Sequence, residues 1–240
     1  MHRINRTYLV LSLVASLGIV QFLFAVAIAI KYYPGGNSAS PYGSGYSLLN
    51  NFLSDLGRTK TWSGADNSIS ALVFNLSVIL LGASLLPFFA VLPSTVRKGG
   101  AIVWISGMLS AIGLIGIGLT PYDRYFVAHH VALGLWIGPM LILSLAYLGA
   151  SLWEGDASLG LFGWTIALAG AVLAYGLAGT HSGYVAMQKV TAALSIVWFV
   201  LIGLRVGTTT IQHISSRREL VERQARQYIA RLERGYRRRS

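Results

Sequence analysis

Five ionisable side chains lie at the ends of long apolar stretches, where they could form one chemical site: Asp55, Asp123, His130, His181 and Lys189. Such groups are costly at membrane depth and usually face the interior of a helix bundle or a wet cavity. Two histidines with a carboxylate suit a zinc ion with an open water position. The same groups suit proton transfer between an acid and a base. The set predicts a polar site but leaves its chemistry open.

Ser54 and Asn75 complete the candidate ligand pocket, because Ser54 adjoins Asp55 and Asn75 lies about two turns into the second apolar stretch. A serine beside a histidine can act as a nucleophile. The sequence has no G-x-S-x-G motif, no H-E-x-x-H motif and no phosphate-binding loop. No catalytic residue is therefore predicted, and the cofactor stays unknown. Zinc, if it is bound, is expected on His130, His181 and Asp123.

The composition indicates an integral membrane protein. Hydrophobic residues make up 54% of the 240 residues and charged residues 11%, against about 25% charged in a soluble domain. A spanning helix needs about 20 apolar residues, and open strands cannot satisfy their backbone in lipid. We therefore predict an all-α bundle of six transmembrane helices within residues 1–213. The predicted spans are 7–31, 69–92, 100–120, 130–153, 160–179 and 184–208.

Stripes of small residues predict which side of each span faces the bundle. In the fourth span His130, Gly134 and Gly138 recur every four residues, and such stripes usually face other helices. Comparable stripes run along the third span at Ser106, Ser110, Gly113 and Gly116, and along the fifth at Gly163, Ala167, Gly170, Ala174 and Ala178. We expect Asp55, Asn75, Asp123 and His130 to line one pocket. The alternative is a hydrogen-bond network that ties helix ends together, with Asp123 capping the fourth helix.

Residues 46–57 have the apolar spacing of a short helix. Leu48, Leu49, Phe52, Leu53 and Leu56 fall on one side, and Gly57 follows as a C-cap. We expect this helix to lie along the outer membrane interface and to form a roof over the pocket.

The distribution of basic residues predicts the orientation. With the N-terminus inside, 14 of the 19 lysines and arginines are cytoplasmic, as the positive-inside rule requires. Both termini are then cytoplasmic, and segments 32–68, 121–129 and 179–187 lie outside. The expected location is a prokaryotic plasma membrane.

The tail, residues 214–240, has the pattern of a basic amphipathic helix. An apolar stripe alternates with arginines that include Arg217, Arg218, Arg223, Arg226, Arg231 and Arg234. Such a helix is typical of an anchor on anionic lipid at the membrane surface. A protein partner or a homo-oligomer is the alternative, and nucleic acid is not an expected partner because no folded reading module accompanies the tail.

Three motifs carry a resemblance to a known family. They are Asn51-Phe-Leu-Ser-Asp-Leu-Gly57, then Phe74-Asn75 followed by Gly82, then Gly118-Leu-Thr-Pro-Tyr-Asp123 with His130. In this order they resemble the membrane family described as domain of unknown function 998. The resemblance covers about residues 45–205 and implies a compact helical bundle with its motifs at one membrane face. It implies no particular reaction.

The function expected from these patterns is binding or handling of a lipid head group or a small polar ligand. A fainter likeness to six-span proteins of the DRAM type also suggests lipid handling. The alternatives are a metal-dependent membrane hydrolase and a structural or assembly subunit of a membrane complex. The H-x3-H pair of the alkaline ceramidase type of zinc hydrolase is absent.

Overall fold

The computed structural model describes residues 6–155, 157–177 and 179–237 and is all-helical within them. Six α-helices follow one another: α1 (Arg6–Tyr32), α2 (Ser68–Val91), α3 (Gly100–Leu119), α4 (Phe126–Trp153), α5 (Leu159–Leu177) and α6 (His181–Arg237). Two 3₁₀ helices, Leu53–Gly57 and Leu92–Thr95, lie between them. In the described ranges β-pairing is limited to two isolated bridges. Helices α1 to α4 pack on their sequence neighbours, and α6 packs on α5 and α1.

Within the described ranges five helices are long and apolar enough to cross a membrane, which indicates an integral membrane protein. They are Thr7–Tyr32, Ser68–Thr95, Gly100–Leu119, Phe126–Trp153 and His181–Gly207. Helix α5 has 19 residues, about 28 Å of helix, which is close to the roughly 30 Å of a hydrocarbon core. The apolar part of α5, Leu159–Tyr175, is shorter than the other five.

The bundle has two ends that we name by their residues. The loop face carries residues 33–67, the α3–α4 junction at 120–125 and the start of α6. The tail face carries the segment 92–99 and the turn at 154–155, where Ser94 Oγ donates to the Tyr8 hydroxyl over 2.8 Å and Arg97 N donates to Glu154 over 2.6 Å. All of the predicted pocket residues lie on or near the loop face.

Helix α6 joins two elements that the sequence analysis kept apart. The predicted last span and the predicted tail helix form one helix of 57 residues, so the domain boundary at 213 falls inside a continuous element. Arg226 is exposed and pairs with Glu222 at 3.5 Å. The side chains of the other predicted surface arginines lie outside the described part of the chain: Arg217, Arg218, Arg223, Arg231 and Arg234.

The predicted helix over 46–57 is wrong in extent. Residues 48–50 form a turn in which Leu48 and Leu49 are exposed, and helical structure is limited to the five-residue 3₁₀ helix. Gly57 does not end a helix in the left-handed conformation. A Cβ at Gly57 would lie 2.3 Å from Asn75 Oδ1, so this glycine permits close contact with α2.

The prediction that the small-residue stripes face other helices is confirmed for α3 and wrong for α4 and for Gly163 of α5. The α3 stripe packs as predicted, because a Cβ on Gly113 would lie 2.4 Å from Trp136 N and Ser110 is buried. The α4 stripe does not, since a Cβ on Gly134 or Gly138 would meet no atom within 4 Å. The α5 stripe is open at Gly163 in the same way. Helices α4 and α5 instead bury larger side chains on their inner sides.

Replacing Gly118 by alanine is expected to destabilise the α2–α3 contact. A Cβ there would lie 2.5 Å from Asn75 O and 2.7 Å from Ile79 Cγ1. Such overpacking costs about 1–3 kcal/mol, and a thermal unfolding experiment in detergent measures it as a lower Tm. Gly134→Ala is the matched control and should leave the Tm unchanged or slightly higher. Equal Tm values for the two variants would contradict the close contact.

Candidate functional site

Asp55 is the centre of the hydrogen bonds on the loop face. Its side chain is buried, with 3% of its surface exposed. The Oδ2 atom accepts from Asn51 Nδ2 at 2.9 Å and from Phe52 N at 3.0 Å, and Oδ1 accepts from Trp62 Nε1 at 3.0 Å. The bonds from Asn51 and Phe52 fix the start of the 3₁₀ helix, and the bond from Trp62 holds that side chain against Asp55.

Arg58 is a cation whose charge acts on Asp55, and it contacts two aromatic rings. Its guanidinium is 4.1 Å from the Trp62 ring centroid and 5.5 Å from that of Tyr122, and its Nε donates to Lys60 O. Burial raises the pKa of Asp55, while the hydrogen bonds from Trp62, Asn51 and Phe52 and the charge of Arg58 oppose the rise. Asp55 is therefore a buried acid whose ionised form is only partly compensated.

Asp123 joins the α3–α4 junction to the loop and does not join His130. Its oxygens accept from Thr59 N at 2.9 Å, from Thr59 Oγ1 at 2.6 Å and from Lys60 N at 3.1 Å. Burial acts to raise the pKa of Asp123, but these hydrogen bonds outweigh it and hold the pKa below its ordinary value. The alternative role as cap of α4 is also wrong, because Tyr125 occupies the N-cap position.

Three side chains at the start of α2 bind the backbone of residues 56–58. Asn75 Nδ2 donates to Gly57 O at 2.9 Å, Asn67 Nδ2 to Arg58 O at 2.7 Å and Ser70 Oγ to Leu56 O at 3.0 Å. Asn75 is thus a structural donor to the loop.

The first turns of α6 hold the other side of the loop. His181 Nε2 lies 3.2 Å from Asn50 O, Leu53 N donates to Gln188 Oε1 at 2.8 Å, and Lys189 Nζ donates to Asn51 O. Two predicted site residues, His181 and Lys189, therefore bind backbone carbonyls of the loop. Gln188 lies between them in sequence and is buried.

The prediction that His130 faces the bundle is wrong, because its neighbour His129 takes the buried position on α4. His130 is exposed, and its Nδ1 lies 2.8 Å from Phe126 O in its own helix. His129 is buried, with Nδ1 2.8 Å from Thr120 O. Successive residues on a helix point about 100° apart, so only one of the two can face the bundle. His129 does, together with Trp136 two turns further along α4.

A cavity of about 60 Å³ lies beneath the 3₁₀ helix. Leu53 and Ser54 cover it, and α1, α2, α3, α4 and α6 form its walls. Its polar side chains include Ser54, His129, Gln188 and Trp136. The apolar lining consists of Phe22, Leu53, Phe74, Val78, Leu81, Leu114, Ile117, Leu133, Ala192, Ile196 and Phe199. Trp136 Nε1 is buried and has no hydrogen-bond partner among the described residues.

The predicted site residues are thus brought to one end of the bundle but not into one pocket. Ser54 lines the cavity, Asp55 and Asp123 hold the loop, and Asn75 faces a separate outer groove. Within the described residues no group of three or more His, Asp or Glu side chains is placed to hold a metal ion. The hypothetical zinc ligands Asp123, His130 and His181 have the separate partners given above.

The free energy of unfolding is expected to depend on pH through Asp55. Its raised pKa means that, between about pH 4 and that pKa, the folded chain retains a proton that the unfolded chain releases. Stability should therefore fall as pH rises through this interval. Unfolding midpoints measured across pH should show that Asp55→Asn removes the slope.

Asp123→Asn provides the control. The lowered pKa of Asp123 gives stability that is present above its ordinary pKa and is lost only as pH falls through the lowered value. This variant should therefore keep the slope above pH 4. A slope that persists in Asp55→Asn would assign the effect to another group.

Comparison of the chain with protein-family models, curated proteins and solved structures gives no match. The resemblance to domain of unknown function 998 accordingly stays a prediction from three motifs. Residues of all three motifs lie at the loop face, where the Ser-Asp-Leu-Gly segment contacts Asn75 and Thr59 contacts Asp123.

Proposed function

We propose that the protein binds the uncharged, hydrogen-bonding end of a lipid-like molecule in the cavity beneath the 3₁₀ helix. The observation that carries this proposal is the unpaired Nε1 of Trp136, an indole donor that is buried in an apolar wall. A buried donor without a partner costs about 1–3 kcal/mol. A ligand oxygen at this position would remove that cost.

The polar groups of the cavity favour a neutral head. None of the described residues that line the cavity is a lysine, arginine, aspartate or glutamate, and an unpaired ion would lose its hydration there. His129 Nδ1 faces the Thr120 carbonyl, which only accepts, so in the neutral ring Nε2 is an acceptor. Gln188 uses its oxygen for Leu53 N and keeps its amide N–H groups as donors. A hydroxyl or an ester carbonyl matches this mixture of donors and acceptors.

The rest of the lining favours hydrocarbon. Aromatic and branched side chains such as Phe22, Phe74 and Phe199 form most of it. The volume of about 60 Å³ suits a small head with its first carbons and not a whole phospholipid. The remaining chain would leave between α4 and α6, which both line the cavity. Further along these helices, the gap is closed by the contact between the rings of Tyr147 and Trp198.

We further propose that α5 spans the membrane, giving six spans with both termini in the cytoplasm and the loop face outside. The support is its length of 19 residues and its contact with α6, where Trp198 Nε1 donates to Thr165 Oγ1 at 3.1 Å. The positive-inside distribution of basic residues supports this orientation. A ligand would then reach the cavity from the outer leaflet.

Cysteine labelling tests this topology. The chain has no cysteine, so single substitutions report without background. Gly43→Cys and Gly179→Cys should react with an impermeant thiol reagent from outside, and Ser158→Cys only after the membrane is opened. Reaction of Ser158→Cys and Gly179→Cys from the same side would mean that α5 does not cross.

Binding of 1-monooleoylglycerol tests the cavity. Native mass spectrometry of the full chain in detergent should detect the bound lipid, and Trp136→Phe should weaken its affinity about 2- to 10-fold, the value of one hydrogen bond. Trp104→Phe is the matched control, because Trp104 is 47% exposed on α3. Oleate should bind more weakly because of its charge. Equal affinity in the two variants would refute a ligand bond to Trp136.

A further inference from the structure

A groove lies outside the bundle, between the loop and the surface of α2. It is an open groove of about 460 Å³. Its polar end carries Lys60, Asp66 and Arg124, and its other end runs down α2 past Leu72 and Leu76. We infer that this groove binds a membrane phospholipid, with the phosphodiester at Lys60 and Arg124 and one acyl chain along α2. The site is independent of the cavity and takes a different head.

The charges at the polar end suit one phosphodiester. Neither Lys60 nor Arg124 forms an ion pair with a described residue, and Arg124 uses only Nε, which donates to Thr59 Oγ1 at 3.1 Å. Asp66 accepts from Ser68 Oγ at 2.7 Å. Two cations and one carboxylate line the groove, so the excess is one positive charge. A phosphodiester carries one negative charge.

The carboxylate of Asp123 is not among the groups that line the groove, so it is not counted in this excess positive charge. Asp123 adjoins Arg124 in sequence, but its oxygens face Thr59 and the amide of Lys60. It therefore holds the backbone that carries Lys60. The cationic side chains of Lys60 and Arg124 are both exposed, as head-group contacts at a membrane interface require.

The apolar end suits an acyl chain. Leu72, Leu76 and Ile79 are spaced by four and three residues and so share one face of α2. Leu72 is 68% exposed and Leu76 50% exposed. Both belong to a helix that can cross a membrane, where exposed leucines would face lipid chains. The groove therefore runs from charged groups at the loop face directly to hydrocarbon depth. This order matches a phospholipid and does not suit a free phosphate ion.

Lipid titration of the detergent-solubilised full chain tests the inference. Native mass spectrometry should detect binding of dioleoylphosphatidylglycerol and dioleoylphosphatidylethanolamine, and weaker binding of dioleoylglycerol, which lacks the phosphate. The double variant K60Q/R124Q should lose about 30-fold in phospholipid affinity, because each surface cation contributes about a factor of five. The control K31Q/K98Q removes two exposed lysines elsewhere and should lose little.

Leu76→Trp tests the apolar end without changing charge. It should fill the groove and lower phospholipid affinity about tenfold, the loss expected when roughly two methylene groups are displaced. Leu80→Trp, at an exposed α2 position outside the groove, should not. Trp136→Phe should leave this binding intact.

Equal binding of dioleoylglycerol would overturn the inference, as would equal affinity in K60Q/R124Q and its control. A dimer that is abolished by Leu76→Trp would also overturn it, since a second copy would then cover the groove.

Discussion

Residues 55–58, at the end of the short 3₁₀ helix, are buried, so their backbone polar groups need partners that water cannot supply. Side chains at the start of α2 donate to the carbonyls of residues 56–58, and Asp55 accepts from the segment before them. These hydrogen bonds fix the position of Leu53 and Ser54, which form the roof of the cavity. Arg58 and Trp62 are brought together by the same bonds, and Lys60 is held beside the outer groove by Asp123.

Much of the helical architecture was predictable because long apolar stretches have few ways to satisfy their backbone in lipid. The inward side of each helix was not. In a soluble helix the polar face identifies the outside, but in a membrane helix both sides are apolar. The small residues Gly134 and Gly138 therefore pointed to the wrong side of α4. Large residues at Trp136, Met140 and Tyr147 mark the buried side, and extending that row back reaches His129.

The short outer helix was mispredicted for a different reason. Spacing of leucines predicts a helix only when the backbone has no better partners, and Asn51 provides them. Its side chain accepts from Ser47 N at 3.0 Å and donates to Gly36 O at 2.7 Å and to Asp55. Asparagine often competes with helix in this way. Asn51, Gln188 and His129 became recognisable as site residues only when the fold brought their distant partners together.

Helix α6 connects the roof of the cavity to the region beyond the opposite end of the bundle. Its first turns bind the loop through Gln188 and Lys189, and the helix continues without interruption to Arg237. At about 1.5 Å per residue its 57 residues form a rod of about 85 Å. A tilt of about 5° at the loop end would displace the far end of such a rod by about 7 Å. Because of its length, α6 would convert a small change of tilt at the roof into a displacement of several ångströms at its far end.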